Sequence, residues 1–199
     1  RYIALPGEER LISQMSELGI DVLVVQHESL DDVETSIRTI AGRMDAELAG
    51  EEVASAFRRD LAPRPLPSSP TVMLTITRDA GNLGEVLVAG PGTFYDELLE
   101  RLGVVNAFAG SELRYPQVSA EGILRRRPHA IIELQPKTLS NAAERRLLSD
   151  WRSIPYLPAA EQECLRVVAG DHTLLPGPRA TRLYRELRQA LLSCPMFAG

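Results

Sequence analysis

From Ser29 to Leu61 the chain keeps a helical rhythm with no proline, and then four prolines fall within eight residues, Pro63-Arg-Pro-Leu-Pro-Ser-Ser-Pro70. The apolar residues Val33, Ile37, Ile40, Met44, Leu48, Val53, Phe57 and Leu61 recur every three to five positions, as one face of a helix requires. Ser29 can cap the first turn, where Asp31 and Asp32 meet the positive end of the helix dipole. The spacing therefore predicts one helix over 29–62, with Gly42 and Gly50 as the points where it could bend. At 1.5 Å per residue it would reach roughly 45–50 Å, more than one small domain needs, so it is expected to bridge two bodies. Proline fixes φ and lacks an N–H, so 63–70 reads as a stiff extended connector. The chain thus divides into 1–28, the helix 29–62, the connector 63–70 and a main domain 71–199.

Both flanks alternate strand and helix. Before the helix, Tyr2–Leu5 and Asp21–Val25 read as strands around a helical stretch Glu8–Leu18 that Gly19 ends. After the connector, strands are expected at Val72–Thr77, Val86–Ala89, Val104–Ala107, Ala130–Leu134 and Leu165–Val168. Helices are expected at Thr93–Leu102, Ser119–Arg127, Ser140–Trp151 and Pro178–Leu192. Such alternation means an α/β protein with an open, mostly parallel sheet flanked by helices. Because Arg1-Tyr-Ile-Ala-Leu5 is strand-like with no leader segment before it, the chain reads as a piece of a longer protein.

Composition excludes several classes. With 44% hydrophobic and 25% charged residues the chain is an ordinary globular one, and its longest apolar runs fall far short of a membrane span. Its net charge of −5, with one dense basic run at Arg125–Arg127, speaks against nucleic acid as a partner. Cys164 and Cys194 lack metal-ligand spacing; either they are small buried hydrophobes or they form one bridge.

No nucleophile elbow or zinc signature is present, so no catalytic residue, cofactor or metal is assigned and the chain is read as a non-enzyme. Gly90-Pro-Gly-Thr93 lacks the spacing of a phosphate loop, and Thr93 as N-cap with Asp96 explains it structurally. Three loops, Arg78–Leu83, Gly90–Thr93 and Asp171–Arg179, are expected on the carboxyl edge of the sheet, where open α/β sheets bind ligands. Of the histidines, His129 reads as a turn residue, and His172 is a better candidate than His27 to face a ligand.

Tyr115-Pro-Gln-Val-Ser-Ala-Glu-Gly-Ile-Leu124 followed by Arg127-Pro-His-Ala-Ile-Ile132 resembles the second-lobe signature of ABC-transporter substrate-binding proteins of the cobalamin and ferric-siderophore type. Glu17–Val22, Glu28–Val33, Gly90–Leu99 with Leu102-Gly103, and Leu175–Arg179 resemble further family segments in the same order. The resemblance implies a second lobe plus the bridging helix of a two-lobe binding protein, with 1–28 as the tail of the first lobe. It implies capture of a corrinoid, ferric siderophore or haem between lobes, delivery to an ABC permease, and a periplasmic or lipid-anchored extracytoplasmic location. Arg78, Thr93, Tyr115, His172 and Arg179 fall on ligand-binding positions and Glu121 on the permease-docking glutamate. Loss of the first lobe would expose the bridging helix and favour self-association. His129 stands where the family pattern has aspartate, Glu133 interrupts an apolar strand, and Trp151 reads as core packing. Two alternatives are a zinc or manganese binder of the related two-lobe class, using His27 and His172, and an interaction module that keeps the fold without the ligand.

Overall fold

The computed structural model describes residues 2–4, 7 and 9–197. Leu5 and Glu8, the expected end of the first strand and start of the first helix, lie outside the described residues. The chain forms two compact units: unit 1 runs to Asp60 and includes Pro176–Pro178, and unit 2 is Leu61–Leu175 with the remainder from Arg179.

In unit 1, strands β1 (Tyr2–Ala4) and β2 (Val22–Val24) pair in parallel, with helix α1 (Glu9–Glu17) between them in sequence. The expected single helix over 29–62 is instead two, α2 (Leu30–Gly42) and α3 (Glu47–Asp60). Ser29 does cap α2: its side chain accepts from Asp32 N, while the Asp32 carboxylate accepts from Ser29 N at 3.0 Å. The break comes at Asp45, whose φ of 56° is left-handed, and Ala46 N closes the turn onto Ala41 O at 2.9 Å. The helices then fold back on each other. Arg38 meets Glu51 at 2.7 Å, Arg58 reaches Glu34, and an added Cβ on Gly50 would lie only 2.2 Å from the Ala41 Cβ. Met44, Leu48 and Val53, which the helical pattern assigns to one apolar face, are exposed, Leu48 by 90%.

Unit 2 holds a six-stranded sheet among the described residues. Its strands are β3 (Thr71–Thr77), β4 (Val86–Val88), β5 (Val105–Asn106), β6 (Gln117–Val118), β7 (Ala130–Gln135) and β8 (Leu165–Ala169). The order is β6-β4-β3-β7-β8, with β5 beside the start of β3. β3, β5, β7 and β8 are parallel, while β4 runs antiparallel to both β3 and β6. The helices are α4 (Phe94–Arg101), α5 (Ala120–Arg126), α6 (Asn141–Arg152), α7 (Pro158–Glu161) and α8 (Ala180–Leu192).

Side-chain alternation along the strands builds two cores. Met73, Val86, Val88, Ile131 and Leu165 pack with Phe108, Ile123, Trp151 and Leu157 on the side of α5, α6 and α7. Val72, Leu74, Ile132 and Leu134 point the other way, and Leu98, Leu99, Leu183 and Leu187 of α4 and α8 are likewise fully buried.

The proline segment is not a free connector. Arg64 N donates to Arg101 O at 2.9 Å and Leu66 N to Leu102 O at 2.8 Å, lacing it along the end of α4, with Leu66 buried. Prolines leave alternate N–H groups for these bonds, which explains how a proline-rich stretch joins a folded unit. Cys164 and Cys194 form a disulfide, with Cα atoms 5.0 Å apart, tying the start of β8 to the turn after α8.

Candidate functional site

The parallel strands β3, β7 and β8 end on one edge of unit 2, and two of the three expected loops lie there. The loop 170–173 is held tightly: Gly170 N donates to Gln135 O at 2.8 Å, and Thr173 Oγ1 donates to Gln135 O and Gly170 O, each at 2.8 Å. The loop 78–83 joins β3 to β4 and is pinned by Asp150, whose Oδ2 accepts from Gly81 N at 2.8 Å. The third segment departs from expectation. Because β4 is antiparallel, Ala89 N pairs with Leu74 O, so Gly90–Thr93 leaves the sheet halfway along β3.

Arg78 does not face outward. Its side chain is fully enclosed: Nε lies 2.7 Å from Glu133 Oε1, Nη1 donates to Asp150 at 2.8 Å, and Nη2 donates to Leu147 O at 2.8 Å. The guanidinium also lies 4.8 Å from the Trp151 ring centroid, and Trp151 Nε1 donates to Glu133 at 2.6 Å. Glu133 and Trp151 thus have a common explanation, a buried charge network that fixes loop 78–83 onto α6. Burial pushes the Glu133 carboxyl above the usual carboxylate range, with the Arg78 and Trp151 hydrogen bonds opposing it. Burial also acts upward on Asp150, but hydrogen bonds from Arg78 and Gly81 N–H outweigh it and hold that carboxyl low.

Thr93 and His172 are also enclosed rather than ligand-facing. Thr93 Oγ1 caps α4, accepting from Asp96 N at 3.2 Å and donating to Gly90 O at 3.0 Å. His172 packs its ring over Gly170, where any Cβ would fall 2.5 Å from Cε1, and its Nε2 lies 2.6 Å from Glu186 Oε2. The ring is 0% exposed, which closes it off from the outer surface. His27 belongs to unit 1, where burial lowers its pKa against the pull of Asp32. Among the described residues no cluster of three or more His, Cys, Asp or Glu side chains could hold a metal ion.

Two expected residues remain accessible. Tyr115 is 41% exposed, on a segment that closes against β4: Gly90 N donates to Arg114 O at 2.7 Å, and a Cβ on Gly90 would strike Leu113 O at 2.4 Å. Only glycine permits that approach. Arg179 is exposed beside Asp171 at 2.5 Å, and its hydrogen bond holds the Asp171 carboxyl below its ordinary range. Tyr95 links the two regions, its hydroxyl donating to Thr173 O at 2.9 Å, while burial and the neighbouring Tyr115 phenol push its own pKa up. Leu113 and Leu175, flanking these segments, are exposed by 62% and 59%. Sequence reasoning does not single out Tyr95, which reads as one more buried apolar residue of α4, nor Leu113 and Leu175, because loop residues carry no periodicity that tells which way they point.

Glu121 stands apart, in the first turn of α5 behind the Ser119 cap, with its side chain 80% exposed and 2.6 Å from Arg125.

The sheet, the loops at its edge and the segment order together define a known class. The chain belongs to the periplasmic binding protein family, whose sequence model matches residues 5–148. It is a family of binding proteins, not of enzymes. A vitamin B12-binding protein of Salmonella typhi is 26% identical over 124 residues, covering 62% of this chain and 46% of that protein. The chain thus spans about half the length of that curated relative. Among solved structures, a possible iron-binding periplasmic protein from Staphylococcus epidermidis superposes with a TM-score of 0.76 at 20% identity, over 95% of this chain and 75% of that one. A periplasmic heme-binding protein from Pseudomonas aeruginosa gives 0.74 at 24% identity, over 96% and 72%.

Proposed function

We propose that the chain is part of the solute-binding component of an ABC importer, capturing a corrinoid, ferric siderophore or haem outside the cytoplasm and delivering it to a membrane permease. The observation that carries this reading is the family match, which runs through both units and ends within α6. In unit 2 the ligand meets Tyr115, Arg179, Leu113 and Leu175, an apolar and cationic surface suited to a large ring system bearing acidic groups. Arg78, Thr93 and His172 act one step back, holding the loops that present it.

Delivery falls to Glu121. Its exposed carboxylate trades the solvent-screened Arg125 for a permease arginine, at little cost because an exposed i,i+4 pair contributes only a few tenths of a kcal/mol. The exposed Met44, Leu48 and Val53 of unit 1 are where self-association would occur.

Equilibrium dialysis of the natural full-length polypeptide against cyanocobalamin, hemin and ferrichrome tests the reading. Saturable retention of one ligand, weakened by Tyr115→Ala or Arg179→Ala, is expected. Retention of none overturns it and favours an interaction module. A Glu121→Ala variant that binds its ligand but no longer supports permease-dependent uptake is the result expected for docking.

A further inference from the structure

A different part of unit 2, outside the family reading, collects positive charge. Four arginines, Arg64, Arg182, Arg185 and Arg188, line a cavity of about 490 Å³ with Glu186 and Gln189. This happens in a chain whose net charge is −5. Three of the arginines come from one stretch of α8, where spacings of three bring Arg182, Arg185 and Arg188 to one side. The fourth arrives from a distant segment and is held rigidly. Arg64 lies between Pro63 and Pro65, and its N–H donates to Arg101 O at 2.9 Å and to the Tyr184 hydroxyl at 3.1 Å. Tyr184, on α8 itself, lies 3.1 Å from Ala62 O, so the same phenol seats the arginine-bearing segment beside the arginine-bearing helix.

The charges are not neutralised from within. The lone carboxylate of the cavity, Glu186, is already shared between His172 at 2.6 Å and Arg182 at 2.9 Å. Among the described residues, none of Arg64, Arg185 and Arg188 has a carboxylate partner, and Arg188 Nε is buried with no hydrogen-bond partner at all. Guanidinium groups brought together on a pre-set frame, with a buried donor left over, are the arrangement that binds a multivalent oxyanion through forked hydrogen bonds.

We propose that this cavity is a binding site for a phosphate-bearing anion, one carrying a diphosphate or two close phosphoryl groups. Its volume suits a small molecule. Gln189 offers an amide donor at the rim, and the proline-flanked Arg64 keeps the ordering cost of binding low. The site is independent of the solute-capture reading, since it shares no residue with Tyr115, Arg179 or Glu121.

The test is isothermal titration of the full chain with inorganic pyrophosphate at low ionic strength, alongside flotation with phosphatidylglycerol vesicles and with neutral phosphatidylcholine vesicles. Saturable binding that weakens as salt rises is expected, and Arg64→Gln with Arg188→Gln should weaken it by about tenfold or more. Arg145→Gln, on the exposed side of α6, should leave it unchanged. Circular dichroism confirms that each variant is folded, and Arg185→Gln alone serves if the double variant is not. Pyrophosphate binding assigns a free anion; binding of phosphatidylglycerol vesicles without pyrophosphate assigns a lipid headgroup. Binding of neither, or binding that the arginine variants do not weaken, overturns the site.

Discussion

Each unit bears a glutamate against arginine, and the two pairs live in opposite surroundings. In unit 1, Glu34 is shared by Arg38 and Arg58, whose side chains keep 34% and 66% of their surface. In unit 2, Glu133 and Arg78 are 1% and 0% exposed, walled by Trp151. The carboxyls respond in opposite directions. Burial acts upward on both, but the two arginines more than offset it at Glu34, whereas at Glu133 burial prevails. An ion pair is therefore not a fixed quantity; how far the carboxyl is desolvated, set against how many arginines bond it, decides the outcome.

The largest effect is expected from Arg78→Met, which strands Glu133 as an uncompensated buried charge and should cost about 3–5 kcal/mol in urea unfolding. Adding Glu133→Gln should recover much of that loss. A single variant no worse than a surface one would break the contrast. Next is the covalent tie: removing Cys164–Cys194 by paired serine substitutions should cost about 2–4 kcal/mol, read as a drop in the urea midpoint with a steeper slope, since the unbridged unfolded chain is less compact. In unit 1, Gly50→Ala pushes a methyl into Ala41 and should cost about 1–3 kcal/mol. Hydrogen exchange should then rise in α2 and α3 while the amides of β3 and β7 keep their protection. Glu34→Gln should be smallest, about 1 kcal/mol or less, and should shrink further in high salt.

Acidity sharpens the same comparison through linkage. Glu34 has a lowered folded pKa, so its contribution is present above the ordinary glutamate pKa and is lost as pH falls through the folded value. Glu133 has a raised one, so its contribution is full below the ordinary pKa and declines as pH rises through the folded value. Urea unfolding across the acid range should therefore change in opposite senses in Glu34→Gln and Glu133→Gln relative to the parent chain. Shifts of the same sign would show that the two sites are alike after all.

Much of this was legible in the residues. Ser29, Thr93, Ser119 and Ser140 each precede a helix and each accepts a backbone N–H there, because a short hydroxyl side chain before a helix has one favourable use. The strands β3, β7 and β8 fall where their apolar runs placed them. β6 and α7, of two and four residues, are too short to carry a period. Gly42, a named bend point, is where α2 ends, but a full reversal at Asp45 was hidden because the apolar rhythm continues on both sides as two amphipathic helices. Arg78 and His172 lie in loops at the expected sheet edge, and Thr93 in one that leaves the sheet halfway along β3, yet a loop position says nothing about whether its side chain turns outward.

The order of residues by itself determined the α/β class, the starts of the four serine- and threonine-capped helices and the family, since these rest on short-range spacing and on motifs read within one segment. Tertiary structure alone decided that β4 runs against its neighbours and that Cys164 meets Cys194. It also decided that Arg78 lies in a dry core with Glu133 and that Arg64 joins three arginines of α8. Each of these depends on residues thirty to more than a hundred positions apart, or on which way a chain turns at a loop. Direction and distance of that kind emerge only when burial and hydrogen bonding are satisfied for the whole unit at once.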